Sequence, residues 1–263
     1  MNPDGSNFRK YGPLPYQLVL VHGGPGAAGY LTPLARVLST AVGLIDAYQT
    51  KYTIKDLLSE LYSIISMHTH KPVVLLGHSW GAWLSLLFAQ RYPAEVRKLI
   101  LVASPPFNKA SADQIMQTRL DRLDAVKSRQ LIGLMQQIEI LPPEKRNDVF
   151  LDLATIIREA DGYDLTEDGL PETSFSYALY EAVWHEAEQL RSSGELLLKA
   201  SSVNCPVVAI HGDFDPHPAA GVDPLLKQRI HDYRFILLAK CGHEPWSEKN
   251  ARDQFIRLIL SEL

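Results

Sequence analysis

Residues 72–93 read PVVLLGHSWGAWLSLLFAQRYP. The apolar run up to Leu76 has the pattern of a strand buried on both faces. It passes without a linker into Gly77-His78-Ser79-Trp80-Gly81, and an apolar helical pattern starts straight after the second glycine. A bare Gly-x-Ser-x-Gly arises by chance in roughly one chain in ten of this length, so the pattern alone decides nothing. Its setting does. A strand that reverses into a helix over one tight turn exposes the central serine and tolerates only small flanking residues. Ser79 is therefore read as a nucleophile rather than as a buried turn serine.

A serine hydroxyl is a weak nucleophile unless a base takes its proton and a third group orients that base. In the strand–turn–helix setting those partners follow in the order serine, acid, histidine. Both kinds of candidate lie beyond later apolar runs: Asp213-Phe214-Asp215-Pro216 follows VVAIHG, and His243 follows RFILLAKCG. Each sits just past the end of a predicted strand, where residues distant in sequence converge. The spacing leaves Asp213 and Asp215 both open as the acid.

A second apolar run breaks off abruptly. Residues 18–29 read LVLVHGGPGAAG, four branched apolar residues followed by His22-Gly23-Gly24-Pro25-Gly26. Glycine lets the backbone come close to a ligand with no Cβ in the way. From these residues alone a backbone cradle and a plain surface turn both stay open.

Outward from these stretches, apolar runs fall at 17–21, 41–46, 72–77, 98–103, 206–211 and 234–239, and helical patterns at 31–39, 54–67, 82–92 and 250–263. The helix at 54–67 opens on Thr53 with Asp56 three residues on, a capping-box-like start. Strands alternating with helices predict a parallel sheet covered on both faces. Between Phe107 and about Ser202 the rhythm stops, and helical patterns at 112–140, 143–160 and 175–191 take over. The expected organisation is an α/β core of residues 1–106 and 203–263, with residues 107–202 as a helical cap over the strand ends where open α/β sheets bind ligands.

Composition narrows the partners. At 263 residues the chain can bury a sizeable core, and its net charge of −4 is spread without a basic run or acidic tail. Nucleic acid and anionic membranes are therefore not expected. No apolar h-region opens the chain and no apolar stretch nears the roughly 18 residues of a membrane span, so a cytoplasmic protein is expected. The two cysteines, Cys205 and Cys241, fall at opposite ends of neighbouring predicted strands. That is about 15–20 Å apart, beyond the roughly 7 Å that a disulfide bridges. His68 and His70 lack zinc-site spacing and are read as surface residues. His22 and His211, at strand ends, are read as loop-packing groups.

With these motifs quoted, the chain resembles the α/β-hydrolase superfamily along nearly its whole length. The resemblance implies Ser79 as nucleophile and His243 of CGHEPWSE as base. The family's Gly-x-x-Asp after its seventh strand selects Asp215 of GDFD over Asp213. It implies a six-stranded, mostly parallel sheet in the family order 4-3-5-6-7-8, trimmed at its N-terminal edge. The backbone N–H groups of Gly24 and Trp80 would form an oxyanion hole, where each donor is worth about 3–4 kcal/mol. The implied chemistry is acyl transfer to water, with no metal or cofactor.

HGGPG together with GHSWG is similar to the prolyl iminopeptidase branch. That branch usually carries an Asp-Gln-Arg-Gly-like segment where this chain reads Asp46-Ala47-Tyr48-Gln49-Thr50. The missing arginine and glycine favour a carboxylesterase-like hydrolase, with the aminopeptidase as alternative. A lyase or cofactor-free dioxygenase on the same fold, and a slowly turning ligand receptor, are the further alternatives. An aminopeptidase must hold a protonated amine. Glu181, Trp184 and Glu188 share one face of the predicted helix by i, i+3, i+7 spacing, and that stripe is the candidate substrate pocket. The expected partner is a small-molecule or short-peptide substrate.

Overall fold

A computed structural model describes residues 6–166 and 173–263. In chain order its strands are β1 (Phe8–Tyr11), β2 (Tyr16–Val21), β3 (Ala27–Ala28), β4 (Gly43–Ala47), β5 (Val73–His78), β6 (Val96–Val102), β7 (Ser174–Phe175), β8 (Val207–Gly212) and β9 (Tyr233–Leu238). The core helices are α1 (Thr32–Leu38), α2 (Ile54–His68), α3 (Trp80–Arg91), α10 (Asp223–Lys227) and α11 (Arg252–Ser261). Between β6 and β8 run α4 (Lys109–Ala112), α5 (Ile115–Arg122), α6 (Ala125–Ile140), α7 (Pro143–Asp161), α8 (Tyr177–Ser192) and α9 (Glu195–Ala200).

The main sheet has seven strands in the order β1-β4-β2-β5-β6-β8-β9. All its pairings are parallel except β1 on β4. Alternation along the strands divides the core into two layers. Val19, Leu75, Leu99 and Val207 face a layer that includes α2 and α3. Leu18, Val74, Ile100 and Val208 face α1 and α11. Because both faces are covered, the central strands are apolar throughout. The helices between β6 and β8 add a small cluster of their own around Leu131, Val149 and Leu153.

Three expectations change. The sheet has a seventh strand: β1 lies antiparallel on the edge of β4, pairing Phe8 with Ala47 and Tyr11 with Leu44. Its four residues include Arg9 and Lys10, too short and too charged to stand out by apolar content. The helical pattern at 112–140 breaks into α4, α5 and α6. Asp124 takes extended backbone and accepts from Val126 and Lys127 N–H at 2.8 and 2.9 Å, so it caps a new helix. Finally, the stretch read as free of strands contains β7, which pairs with β3 beside the glycine loop. Residues 1–5 and 167–172 of the expected core and cap lie outside the described residues.

One buried group strains the sheet. Asp46 on β4 is fully buried, its Oδ1 has no partner, and burial pushes its carboxyl up to about 7. The folded chain therefore keeps a proton that the unfolded chain sheds near its ordinary value, and stability from this group falls as pH rises between the two. Asp46→Asn removes that dependence. Its stability advantage over the native chain should grow by about 2–3 kcal/mol between pH 5 and pH 8 in denaturant titrations. An advantage equal at both pH values contradicts the burial of this charge.

Candidate active site

Ser79 lies at the tip of the turn joining β5 to α3, with φ 52° and ψ −127°. A non-glycine residue held there costs about 1–3 kcal/mol and persists only where its surroundings enforce it. They do so through the flanking glycines. A Cβ on Gly77 would run into the Gly81 carbonyl, and one on Gly81 would run into the carbonyls of Val21 and His22. The turn is thus pressed against itself and against the end of β2. Ser79 N–H donates to the Val102 carbonyl at 2.9 Å, fixing the tip on the neighbouring strand.

The glycine loop after β2 rests on this turn. A Cβ on Gly23 would strike the Ser79 side chain, and Gly24 has φ +50°. The Trp80 N–H, first in α3, has no helical carbonyl four residues back to accept it. Gly24, Ser79 and Trp80 border one cavity of about 220 Å³. Buried His22 and Gln49 lock the loop. Nδ1–H of His22 donates to the Gly23 carbonyl at 2.9 Å, and its Nε2 accepts Gln49 N–H at 3.2 Å. Burial holds the His22 ring down at about 4, which keeps that nitrogen an acceptor. The Gln49 amide donates to the His22 carbonyl and accepts the Trp80 indole N–H, both at 2.8 Å. Gln49, from the segment that departs from the iminopeptidase pattern, therefore ties the loop to the start of α3.

Asp215 and His243 meet at the same end of the sheet. His243 Nδ1–H donates to Asp215 Oδ2 at 2.8 Å, which leaves Nε2 as the nitrogen with a free lone pair. His217 Nδ1–H donates to the other oxygen at 2.7 Å, and its backbone N–H to the same atom at 2.9 Å. The two imidazoles stack at 4.4 Å. Both Nδ1 atoms donate to the carboxylate, so among the described residues this metal-capable group of three is a hydrogen-bonded cluster around Asp215. Burial works against a charged Asp215, yet His243, His217 and His211 together hold it well below the usual carboxylate range. Burial pushes His217 down to about 4. It also opposes charge on His243, but the Asp215 carboxylate outweighs it and holds this ring above the usual histidine value.

The loop carrying His243 is braced from α7. His243 N–H donates to the Asp161 carbonyl at 2.9 Å. Buried Glu248 accepts N–H bonds from Gly242, Tyr163 and Asp164, each at 2.8 Å. His78 Nε2–H, from the turn, donates to the His243 carbonyl at 2.9 Å.

Of the residues singled out in the sequence, Gly24, Ser79, Trp80, Trp184 and His243 border the one cavity, with Asp215 directly behind His243. Asp213 is turned away, accepting the Cys241 N–H at 3.2 Å. The Glu181–Glu188 stripe does not enter the cavity. Glu181 pairs with Arg146 and Glu188 with Arg191, their side chains 57% and 58% exposed. Trp184 turns the other way and stacks between Trp83 and Tyr180. A helix face is wide enough to send the tryptophan inward while both carboxylates stay in water. Residues not foreseen are His217, Tyr30, Glu244 and the pairs around Arg119 and Arg158. Glu244 follows His243 directly, which was a legible sign. The arginines sit in plain amphipathic helices and gave none.

This sheet, turn and loop define the class, and comparison agrees. A family model described as alpha/beta hydrolase fold matches residues 16–249, and the chain belongs to that family. It is similar to a proline iminopeptidase of Lactobacillus delbrueckii subsp. bulgaricus, 23% identical over 266 residues, covering 90% of this chain and 86% of that protein. It is also similar to a 2-(acetamidomethylene)succinate hydrolase of Mesorhizobium japonicum, 26% identical over 171 residues, covering 65% of this chain and 57% of that protein. The crystal structure of VinJ superposes with a TM-score of 0.68 at 18% identity, covering 97% of this chain and 93% of that one. Among the described residues no helix is long and apolar enough to cross a membrane.

The Asp215 cluster is open to NMR titration. His243 should titrate above the ordinary value of about 6.5, and His217 should stay neutral down to about 4. In Asp215→Asn the carboxylate that outweighs burial is gone, so the His243 midpoint should fall below its native position, while Asp213→Asn leaves it in place. An unchanged midpoint in Asp215→Asn contradicts the pairing.

Proposed function

We propose that this chain is a serine hydrolase that cleaves an ester or amide bond of a small substrate through an acyl-enzyme on Ser79. The observation that supports it best is the shared cavity, which is lined both by a strained serine and by a histidine whose Nδ1 is held by a buried carboxylate. In this mechanism His243 Nε2 takes the Ser79 proton as Oγ attacks the substrate carbonyl. The carbonyl electrons move onto oxygen, where the N–H groups of Gly24 and Trp80 receive them; such donors are worth about 3–4 kcal/mol each. His243 then passes the proton to the leaving group, and the same steps with water release the acid. The helices α4 to α9 act as a cap over this site, and Trp184 with Tyr180 forms an aromatic wall for the acyl part.

Prolyl aminopeptidase activity is a second proposal, favoured by the likeness to a proline iminopeptidase over 90% of the chain. The outward-facing Glu181 and Glu188 count against it. A buried ammonium needs carboxylates that are free to pair with it.

Short-chain p-nitrophenyl esters should be hydrolysed with a higher kcat/KM than proline β-naphthylamide. A fluorophosphonate should label Ser79 and fail to label Ser79→Ala. Asp215→Asn should lower kcat by up to about 10⁴-fold, and Asp213→Asn should have little effect. Faster turnover of the proline substrate makes the chain an aminopeptidase. An adduct on another serine, or none, overturns the mechanism.

A further inference from the structure

The cavity above Ser79 has one wall that the chemistry at Ser79 does not use. Arg119 of α5 and Arg158 of α7 both border it, with side chains only 14% and 12% exposed. Each is tied down by a carboxylate on one edge alone. Arg119 commits Nε and one terminal amino group to Asp161, at 2.7 and 2.6 Å. Arg158 commits only Nε, to Glu244, at 3.0–3.1 Å. A guanidinium carries five N–H donors in a fixed plane. Among the described residues the other amino groups of both arginines have no hydrogen-bond partner.

The carboxylates of this wall already serve its own donors. Both Asp161 oxygens accept from Arg119, and Glu244 accepts from the Tyr30 hydroxyl as well as from Arg158. The two ion pairs cancel in charge, so the net field decides little. The supply of directed donors decides. An ammonium group entering here has to compete with the arginines for their carboxylates, whereas a carboxylate finds unused guanidinium edges whose fork matches it in two parallel bonds. The same cavity is also lined by the aromatic rings of Phe150, Tyr180 and Trp184. A cavity of about 220 Å³ lined by aromatic rings and by unused guanidinium donors suits a short chain that ends in an anion.

We infer that the substrate carries a free carboxylate on its acyl part, as in a half-ester or half-amide of a short dicarboxylic acid, and that Arg158, with Arg119 beside it, binds that carboxylate. This specificity rests on the proposed hydrolase chemistry at Ser79 and narrows it. Scissile and recognised carboxyl groups then share one small cavity.

Three esters of matched length test it: ethyl hydrogen glutarate, diethyl glutarate and ethyl 4-aminobutyrate. The half-ester should have a kcat/KM about ten-fold or more above either other ester, because a site built to hydrogen-bond a group discriminates against its absence. In Arg158→Gln the ratio of half-ester to diester should fall to within about two-fold, and Arg158→Lys should keep part of it. Should Arg158→Gln not fold, the wild type still decides: glutarate should compete with p-nitrophenyl acetate hydrolysis and glutaramide should not. A diester or amino ester turned over as well as the half-ester, or a preference that survives Arg158→Gln, overturns the inference. Fluorophosphonate labelling run alongside separates the two failures. A labelled Ser79 without half-ester preference removes only the anion site, and an unlabelled one removes the hydrolase chemistry beneath it.

Discussion

Everything at this site depends on how closely the backbone passes at Gly77 and Gly81. With no Cβ on either residue, the end of β5 can fold back under the start of α3 and lie against the carbonyls of Val21 and His22. That contact holds Ser79 in a left-handed conformation that a serine does not adopt unaided. It also sets the distance between the turn and the glycine loop. The Gln49 side chain then closes the same unit through His22 and Trp80. A larger residue at 77 or 81 would move the serine, the loop and the first N–H of α3 together.

The second half of the site is assembled from far away in the chain. Asp215 follows β8 and His243 follows β9, and the parallel register delivers both to the end of the sheet where β5 delivers Ser79. The cluster is tied to the helices between β6 and β8 as well. Asp161 closes α7, accepts the His243 N–H on its carbonyl and binds Arg119 with its carboxylate. The placing of His243 and the donor wall therefore share one residue, so movement of α7 acts on both.

Much of this was legible because it follows from local backbone demands. A glycine-flanked serine between an apolar strand and an apolar helix has few foldable outcomes, and six apolar runs alternating with helical patterns pointed to a parallel sheet, whose strand order came from the family resemblance. What escaped was decided by tertiary context. β1 is a four-residue, charged edge strand that exists because β4 offers it an unpaired edge. The break before α6 hinged on one capping aspartate. Glu181 and Glu188 fit a periodic stripe, but periodicity fixes only a face of a helix and not which part of that face meets the cavity. Arg119 and Arg158 acquire meaning only beside Asp161 and Glu244, residues that lie 42 and 86 positions away.

Rapid mixing with a p-nitrophenyl ester, followed by acid quench and peptide mapping, reaches the central chemistry most directly. A serine nucleophile of this kind releases a burst of about one equivalent of nitrophenol before steady turnover. The acyl mass should then be found on the peptide that contains Ser79. Turnover without a burst and without an acylated peptide, under conditions where deacylation is made slow, would contradict a covalent route through Ser79.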